Sequence, residues 1–378
     1  MRLASCILHL GYALPTAHPT LSTAFQKISG IHRVSVVREM SGIMTTEAAS
    51  LVEPTGLALD KDKNFYICIG GRNEIHKVSP STGAVTKVAG SNEWGYSGDG
   101  GPATAAMLRK PAGLCFDELG DLYFADSGNN RIRKVTMSTG VITTVAGDGN
   151  EGFSGDDVEA ISTSLHEPLD VEVDSSGNIF IADSKNHRVR KVTASTGIMT
   201  TVAGTDVHTD QSLGPKTFAT RLYLYSPSGV TVDRVGNIFI AGGNGDPCIF
   251  KVTASTSKIS VVAGTGPNRT GRAYYNGDDI LATTAELNCP SKVALDLRGN
   301  MYISDTDNRR IRMVTAKTGI ITTVAGTGEY TQDEYAGEDG SATSAPIHTA
   351  GSITIDEVGN IYFTDYVLGV VKKVTVPQ

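Results

Sequence analysis

Cysteine is scarce in this sequence and irregularly spaced. The chain has five cysteines with no CxxC pair among them: Cys6, Cys68, Cys115, Cys248 and Cys289. A disulfide framework or a zinc finger would need regular spacing, so the sequence favours neither. We expect most of these thiols to be buried and unpaired.

Long runs of one charge and long apolar runs are also missing. The 378 residues include 33 Lys and Arg against 40 Asp and Glu, a formal net charge of −7, with no long basic run. Binding to a phosphate backbone depends on clustered cations, so nucleic acid is disfavoured as a partner. No segment is long and apolar enough to predict a membrane span.

The first residues have some features of a secretory signal. Arg2 precedes the apolar stretch LASCILHLGYAL, and Ser22–Ala24 offers a cleavage site of small residues, although His9 interrupts the stretch. We expect residues 1–30 to be a leader or signal segment, which slightly favours secretion.

Glycine and repetition are what the sequence has in abundance. There are 42 glycines, and the phrase VAG recurs at spacings of 57, 57, 60 and 62 residues. A turn between two apolar runs recurs six times, at Asn64, Asp121, Asn178, Asn237, Asn300 and Asn360. A period of this size indicates a solenoid, a propeller or an array.

Each copy predicts four short antiparallel strands. In the second copy the runs are rich in Val, Ile, Tyr, Phe and Thr, and turn residues separate them: Gly113–Asp117, Asp121–Asp126, Arg131–Thr136 and Val141–Gly147. Such a sheet is apolar on both faces, and packing sheets around an axis buries both. The sequence therefore predicts an all-β, six-bladed propeller.

The two ends of the chain predict how the ring closes. The last copy stops at Gln378 without an outer strand, and Ser41–Ala49 resembles the missing one. We expect this amino-terminal strand to complete the last blade of a single propeller domain, residues 31–378. Ile31–Ser35 resembles a third strand and competes with residues 370–375 for that position, which the sequence leaves open.

The repeated phrases carry a family resemblance. GN-[IL]-[YF]-x-AD followed by N-R-[IV]-R-K-V resembles the NHL repeat, and TGVITTVAG followed by GYSGDGGPAT is similar to the long insertions of teneurin-like NHL propellers. The resemblance spans residues 41–378 and implies a six-bladed propeller, in agreement with the strand count. It implies less about function, which resides in sites placed on a fold.

Alternating strand directions predict that the loops between second and third strands share one face with the long insertions between blades. We expect that face to be acidic, because it collects Asp99, Asp126, Asp156, Asp157, Asp183, Asp278, Asp279, Asp305, Glu338, Asp339 and Asp365. Asp99 is expected to cap a short helix that has Pro102 in its first turn. Asp126 is expected to hold its hairpin through Asn129 and Arg131.

Signatures of catalysis are absent from the sequence. It contains no GxSxG, HExxH, Walker or EF-hand motif, so no catalytic residue is assigned. Weak metal candidates are Asp156, Asp157, Asp278 and Asp279. No cofactor is predicted, because no ligand motif in the sequence supports the binding of calcium or zinc.

Departures from the repeat predict where a site would lie, because a feature shared by several blades is usually scaffold. Glu172 falls near the channel at a position that is small or neutral in the other copies. The remaining candidates lie on loops, where packing competes with a role as interface anchor. The binding candidates are Trp94, Glu172, His208, Tyr223, Asn244, Asp246, Tyr275 and Tyr366.

Two functional hypotheses remain. The first is a non-catalytic, monomeric scaffold that recognises a protein, or else a glycan, through the insertion-bearing acidic face. The alternative is a metal-dependent enzyme, since the propeller resembles those of peptidyl-hydroxyglycine lyases and lactonase-like hydrolases with a site at the channel mouth. RNA binding, which the resemblance to some NHL propellers implies, is disfavoured by the predicted acidity.

Overall fold

A computed structural model describes residues 42–48, 51–207, 214, 216–243, 245–266, 274–333 and 337–375. Within these residues the fold is all-β and has six blades of four antiparallel strands, which confirms the prediction. The leader, Ile31–Ser35, His208 and Asn244 lie outside the described residues.

Each blade runs from an inner first strand to an outer fourth strand. Blades 1 and 2 consist of β2 (Pro54–Leu59), β3 (Phe65–Ile69), β4 (Glu74–Val78) and β5 (Val85–Ala89), then β6 (Pro111–Phe116), β7 (Leu122–Asp126), β8 (Arg131–Thr136) and β9 (Val141–Ala146). Blades 3 and 4 consist of β11 (Pro168–Val173), β12 (Ile179–Asp183), β13 (Arg188–Val192) and β14 (Ile198–Gly204), then β15 (Gly229–Val232), β16 (Ile238–Ala241), β17 (Cys248–Thr253) and β18 (Lys258–Gly264). Blade 5 consists of β20 (Pro290–Leu295), β21 (Met301–Asp305), β22 (Arg310–Val314) and β23 (Ile320–Ala325).

Blade 6 closes the ring with strands from both ends of the chain. It consists of β24 (Ala350–Ile355), β25 (Ile361–Asp365), β26 (Val370–Thr375) and β1 (Ile43–Ala48). β1 lies antiparallel to β26, with Ile43 opposite Thr375 and Thr46 opposite Lys372. The predicted closure is confirmed, and β26 fills the third position of this blade.

Turn chemistry explains the repeated Asp and Asn between first and second strands. Asp174 Oδ1 accepts the Asn178 N–H at 2.9 Å, and its Oδ2 accepts from Asn178 Nδ2 at 2.8 Å. Asn178 Oδ1 in turn accepts the Ala194 N–H at 3.1 Å, which ties this turn to the one between the third and fourth strands. Gly177 between them has a φ of +78°, a conformation that favours glycine.

Neighbouring blades bury their apolar faces against one another. One core cluster, for example, joins Ala125 and Ile132 of blade 2 to Val171 and Ile181 of blade 3. Because both faces of a blade are covered in this way, the second strands, such as Leu122–Asp126, read as nearly continuous apolar sequence.

The insertions run from an outer strand to the next blade and cover that blade's outer edge. Two of them form short strands, β10 (Val158–Glu159) on β14 and β19 (Ile280–Leu281) on β23. Single turns of 3-10 helix follow in the insertions, at Ala103–Ala105, Ala160–Ser162, Ala219–Arg221, Ala282–Thr284 and Ala342–Ser344. We call the side that carries the insertions and the loops between second and third strands the insertion face.

Candidate functional site

Asp99 does not cap a helix. The helix Ala103–Ala105 begins after Pro102 without a side-chain cap. Asp99 instead accepts from Arg133 Nη2 at 2.6 Å and from the Tyr96 hydroxyl at 2.9 Å. The cap prediction was wrong because the insertion lies against the third strand of the next blade, where an arginine offers a stronger, charge-assisted hydrogen bond.

Asp126 holds its hairpin as predicted, but with a different arginine. Its Oδ2 accepts from Asn129 Nδ2 at 2.8 Å and from Arg133 Nη1 at 3.3 Å, and its Oδ1 accepts the Arg109 N–H at 2.8 Å. Arg131 reaches away to the backbone carbonyls of Asn129 and Asp148. The pairing with Arg131 was therefore wrong.

An aromatic ring of the insertion packs on two arginines in three blades. The rings lie 3.6–4.9 Å from the guanidinium carbons in these sets: Tyr96 with Arg131 and Arg133, Phe153 with Arg188 and Arg190, and Tyr275 with Arg310 and Arg312. The Tyr275 hydroxyl also donates to Asp278 Oδ2 at 2.9 Å. Tyr275, predicted as a binding residue, thus belongs to a repeated clamp that fastens the insertions.

The loop aspartates that were expected to make the insertion face acidic are buried. Asp126, Asp183, Asp305 and Asp365 are all 0% exposed. Each accepts a backbone N–H from the insertion beside it, so these carboxylates interact with groups inside the protein and do not face solvent. The expected acidic surface at these loops was wrong, since the sequence does not show that the carboxylates turn inward.

The four metal candidates lie at the outer edges of blades 3 and 5. Asp156 Oδ1 is 3.1 Å from Arg190 Nη2, and Asp278 Oδ1 is 3.0 Å from Arg312 Nη2. The N–H groups of Asp157 and Asp279 donate to outer-strand carbonyls. No cluster of three His, Cys, Asp or Glu suited to a metal occurs in the described residues.

The same residues contain no helix long and apolar enough to cross a membrane.

Asp246 occupies the scaffold position of blade 4. Its Oδ2 accepts the Tyr225 N–H at 2.8 Å, just as Asp126 accepts that of Arg109. Phe250, however, pairs with Val261 where Arg133 pairs with Thr144, so an apolar ring replaces the arginine. Burial raises the pKa of Asp246 to about 6.

The rim of the insertion face carries a pair of side chains whose chemistry differs between blades. The pairs are Trp94 with Arg109, Glu151 with His166, and Tyr330 with His348. The second members are equivalent, because each donates its backbone N–H to the loop aspartate of its own blade. Trp94 is 71% exposed. Different chemistry on one repeated scaffold is the property expected of a recognition surface.

Tyr223 lies in an aromatic cluster between blades 3 and 4. Its ring centroid is 4.7 Å from that of His187 and 5.3 Å from that of Tyr225. His187 Nδ1 accepts the Ser226 N–H at 3.2 Å, a role that Asn73 and Asn130 fill between other blades. Burial lowers the pKa of His187. Sequence reasoning missed His187, although it replaces an Asn of the repeat.

The channel contains an ion pair that sequence reasoning also missed. Asp170 of β11 and Lys292 of β20 form it, and Asp170 Oδ2 also accepts the Val230 N–H at 2.7 Å. Both occupy a repeat position that is a small residue in the other four copies, namely Gly56, Gly113, Gly229 and Ser352. A charged residue at this position is the sequence signal that could have identified the pair. Glu172 lies deeper in the same strand, and burial raises its pKa to about 7 while Lys292 opposes that shift.

Tyr366 lies at the mouth of the channel. It lines a cavity of about 270 Å³ to which all six blades contribute. Its side chain is 37% exposed. The structure thus brings Tyr366 and the Asp170–Lys292 pair to one place, whereas Trp94, Tyr223 and Tyr275 lie on the rim and in the insertions.

Comparison with known proteins agrees with this architecture. A family profile described as the teneurin NHL domain matches residues 148–375, and one described as the NHL repeat matches residues 108–135. Teneurin-4 of Mus musculus is 32% identical over 242 residues, which are 57% of this chain and 8% of that protein. Teneurin-3 of Mus musculus is 26% identical over 345 residues, 83% of this chain and 12% of that protein. The chain therefore spans only a small part of the length of these relatives.

Solved structures show the same fold at low identity. A protein of unknown function from Bacteroides thetaiotaomicron is 17% identical with a TM-score of 0.65, over 90% of this chain and 77% of that one. A gluconolactonase from Xanthomonas campestris is 11% identical with a TM-score of 0.58, over 91% of this chain and 94% of that one. At such identities the likeness concerns the fold alone.

Proposed function

Because the chain belongs to the teneurin NHL domain family, we propose that it is a non-catalytic binding scaffold that recognises a protein partner through its insertion face. The repeated clamps hold the insertions against the blades, so the side chains above them are presented on a rigid support. Recognition by a preorganised surface loses less entropy than recognition by mobile loops.

Trp94 is the observation that carries this proposal. Its indole is 71% exposed, and the Arg109 guanidinium carbon lies 5.4 Å from the ring centroid. Gly95, which follows it, donates its N–H to the Leu108 carbonyl at 3.2 Å and accepts from Asn129 Nδ2 at 2.6 Å. Exposed Trp and Arg side chains on a rigid support are the residue types that most often anchor protein interfaces. Their exposure is explained if they bind a partner protein.

The experiment is quantitative affinity purification with the full chain as bait. Trp94→Ala is compared with Leu119→Ala, which removes an exposed apolar side chain (87%) from a turn on the opposite face. A partner captured by wild type and by Leu119→Ala, and reduced about tenfold by Trp94→Ala, supports the proposal. Equal recovery with all three baits contradicts it.

A second candidate function rests on Glu172. A carboxyl whose pKa lies near 7, beside the Lys292 ammonium in a channel, is suited to general acid–base chemistry. This second candidate is tested by screening lactones and esters for turnover, with Glu172→Gln as the matched variant. Turnover by the wild type that is lost in the variant would support an enzyme and would contradict the non-catalytic scaffold.

A further inference from the structure

The outer edge of blade 1 differs from the outer edges of the other five blades. In each of those, the preceding insertion forms backbone hydrogen bonds with the outer strand, as Gly100 does by donating to the Ile142 carbonyl at 2.8 Å. The connection that would cover β5 is short, because only residues 49–53 lie between β1 and β2, whereas residues 90–110 lie between β5 and β6. In the described part of the chain, no hydrogen bond from outside the sheet reaches the backbone of Val85, the residue equivalent to Ile142.

The missing cover also exposes an apolar side chain. Val85 is 58% exposed, whereas its equivalents in the other blades are at most 1% exposed. Each of those equivalents shares a core cluster with the first alanine of an insertion's 3-10 turn. The five pairs are Ile142 with Ala103, Met199 with Ala160, Ile259 with Ala219, Ile321 with Ala282, and Met44 with Ala342. β5 is therefore an open strand edge with an apolar side chain beside it, an arrangement to which extended peptides add as a further strand.

The side chains beside this edge indicate which residue an added strand would carry. In blade 3, Asp156 of the insertion accepts from Arg190 Nη2 at 3.1 Å and from Thr201 Oγ1 at 2.9 Å. His76 and Lys87 occupy the equivalent paired positions in blade 1. A carboxylate placed as Asp156 is placed would therefore lie beside an imidazole and an ammonium, which can both donate to it.

Glu74 leaves donors free at this site. Its carboxylate lies 2.9 Å from His76 Nε2 and 3.5 Å from Lys87 Nζ, and the Lys87 side chain is 39% exposed. An ammonium has three donors, so Lys87 can also pair with a carboxylate of a ligand. Residues 1–41 contain no Asp and a single Glu, and a β5 from a second copy would bring another lysine. An acidic segment of a different protein is thus the occupant that fits this charge.

We propose that β5 binds an extended, acidic segment of a partner protein. The segment pairs with the N–H and C=O of Val85 and places a carboxylate beside Lys87. It lies antiparallel to β5, as the insertion strands β10 and β19 lie antiparallel to β14 and β23. This edge is a second contact, beyond the recognition proposed for Trp94.

The test is fluorescence anisotropy of a labelled synthetic peptide with the sequence of residues 97–108, SGDGGPATAAML, which covers the outer strand of blade 2. We expect saturable binding to the full chain, weakened about fivefold or more when Gly100 of the peptide is N-methylated, because one strand hydrogen bond is lost. Val85→Pro, which removes the outward N–H of β5, should weaken binding to the same degree. Leu119→Ala on the opposite face is the control and should leave binding unchanged. Thermal melts of the variants check that the fold is intact.

A thermodynamic cycle tests the carboxylate. Asp99→Asn in the peptide and Lys87→Ala in the protein should each weaken binding, and the two together should weaken it less than the product of their separate effects. Independent effects of the two changes would overturn the contact assigned to Lys87.

Two further results would overturn the proposal as a whole. One is the lack of saturable binding up to about 1 mM, which would leave Lys87 as a charge that prevents pairing at the edge. The other is binding that N-methylation of the peptide and Val85→Pro both leave unchanged. Neither result depends on whether Trp94 binds a partner.

Discussion

Asp170 and Lys292 form an ion pair that reaches from blade 3 to blade 5 past Gly229 of the blade between them. Asp170 is only 1% exposed. Glycine in the flanking blades makes this contact possible, since a Cβ on Gly113 would lie 2.0 Å from Asp170 Oδ1. The pair therefore joins blades that are not neighbours in the ring.

Lys292→Met is expected to lower the free energy of unfolding by about 3–5 kcal/mol, because it leaves a buried carboxylate without its cation. Urea denaturation at pH 7 measures the loss. Lys134→Met is the control, since the Lys134 side chain is 22% exposed and its 2.8 Å contact with Asp121 lies near the surface. Such a pair is expected to contribute less than about 1 kcal/mol. Equal losses in both variants would show that the channel pair has no special role.

Asp246→Asn is expected to raise the free energy of unfolding at pH 7, whereas Asp126→Asn is expected to lower it. Both carboxylates accept one backbone N–H, but Asp126 also accepts from Asn129 and Arg133, against which an amide NH₂ would clash. Burial raises the pKa of both carboxyls to about 6, but Asp246 has Phe250 in place of the arginine, so its charge is removed without loss of a charge-assisted hydrogen bond. Urea denaturation of the two variants gives the two signs, and a loss of stability in Asp246→Asn would contradict the account.

The gain in Asp246→Asn should depend on pH. The pKa of Asp246 is about 6 in the folded state and 3.8 as its ordinary value, so the folded protein binds the extra proton first. The wild type is therefore penalised above pH 6, by up to about 3 kcal/mol at about 1.4 kcal/mol per pKa unit, and recovers as the pH falls towards 4. The advantage of the variant should shrink over that range, and an advantage constant from pH 7 to pH 4 would refute this cause.

His187→Asn is expected to leave stability at pH 7.5 nearly unchanged, because Asn73 and Asn130 accept the equivalent N–H in other blades. The folded pKa of His187 is lowered, so its contribution is present above pH 6.5 and is lost as the pH falls through the folded pKa. The variant should then exceed the wild type at pH 5.5 by about 1 kcal/mol, the contribution of one hydrogen bond. Thermal melts at the two pH values measure the difference, and identical pH profiles would show that His187 does not titrate against this bond.

Local patterns in the sequence were sufficient to predict the blades. Apolar runs separated by Asp, Gly and Asn turns predicted the third strand of blade 2, Arg131–Thr136, as observed. The outer strand that is missing from the last copy predicted the closure by β1. These features depend on residues close in sequence or on the repeat itself.

The chemistry of the faces could not be obtained in the same way. Asp170 and Lys292 are 122 residues apart, and only the closed ring brings them together. In the sequence the loop aspartates look like exposed acids. The arginines that pair with them, such as Arg133, lie on another strand and also donate to an aspartate of the insertion. Side-chain direction at these loops is decided by that packing, which the order of apolar runs and turns does not show.

Photo-crosslinking from the two faces tests recognition by the insertion face most directly. A benzoylphenylalanine is placed at Trp94 or at Tyr274 on the insertion face, and at Leu119 or at Val235 on the opposite face, all four of which are at least 68% exposed. After irradiation in extracts or at cell surfaces, mass spectrometry identifies the products. We expect one partner protein to be crosslinked from Trp94 and not from Leu119 or Val235. The same partner crosslinked equally from both faces, or from the opposite face alone, would contradict the account.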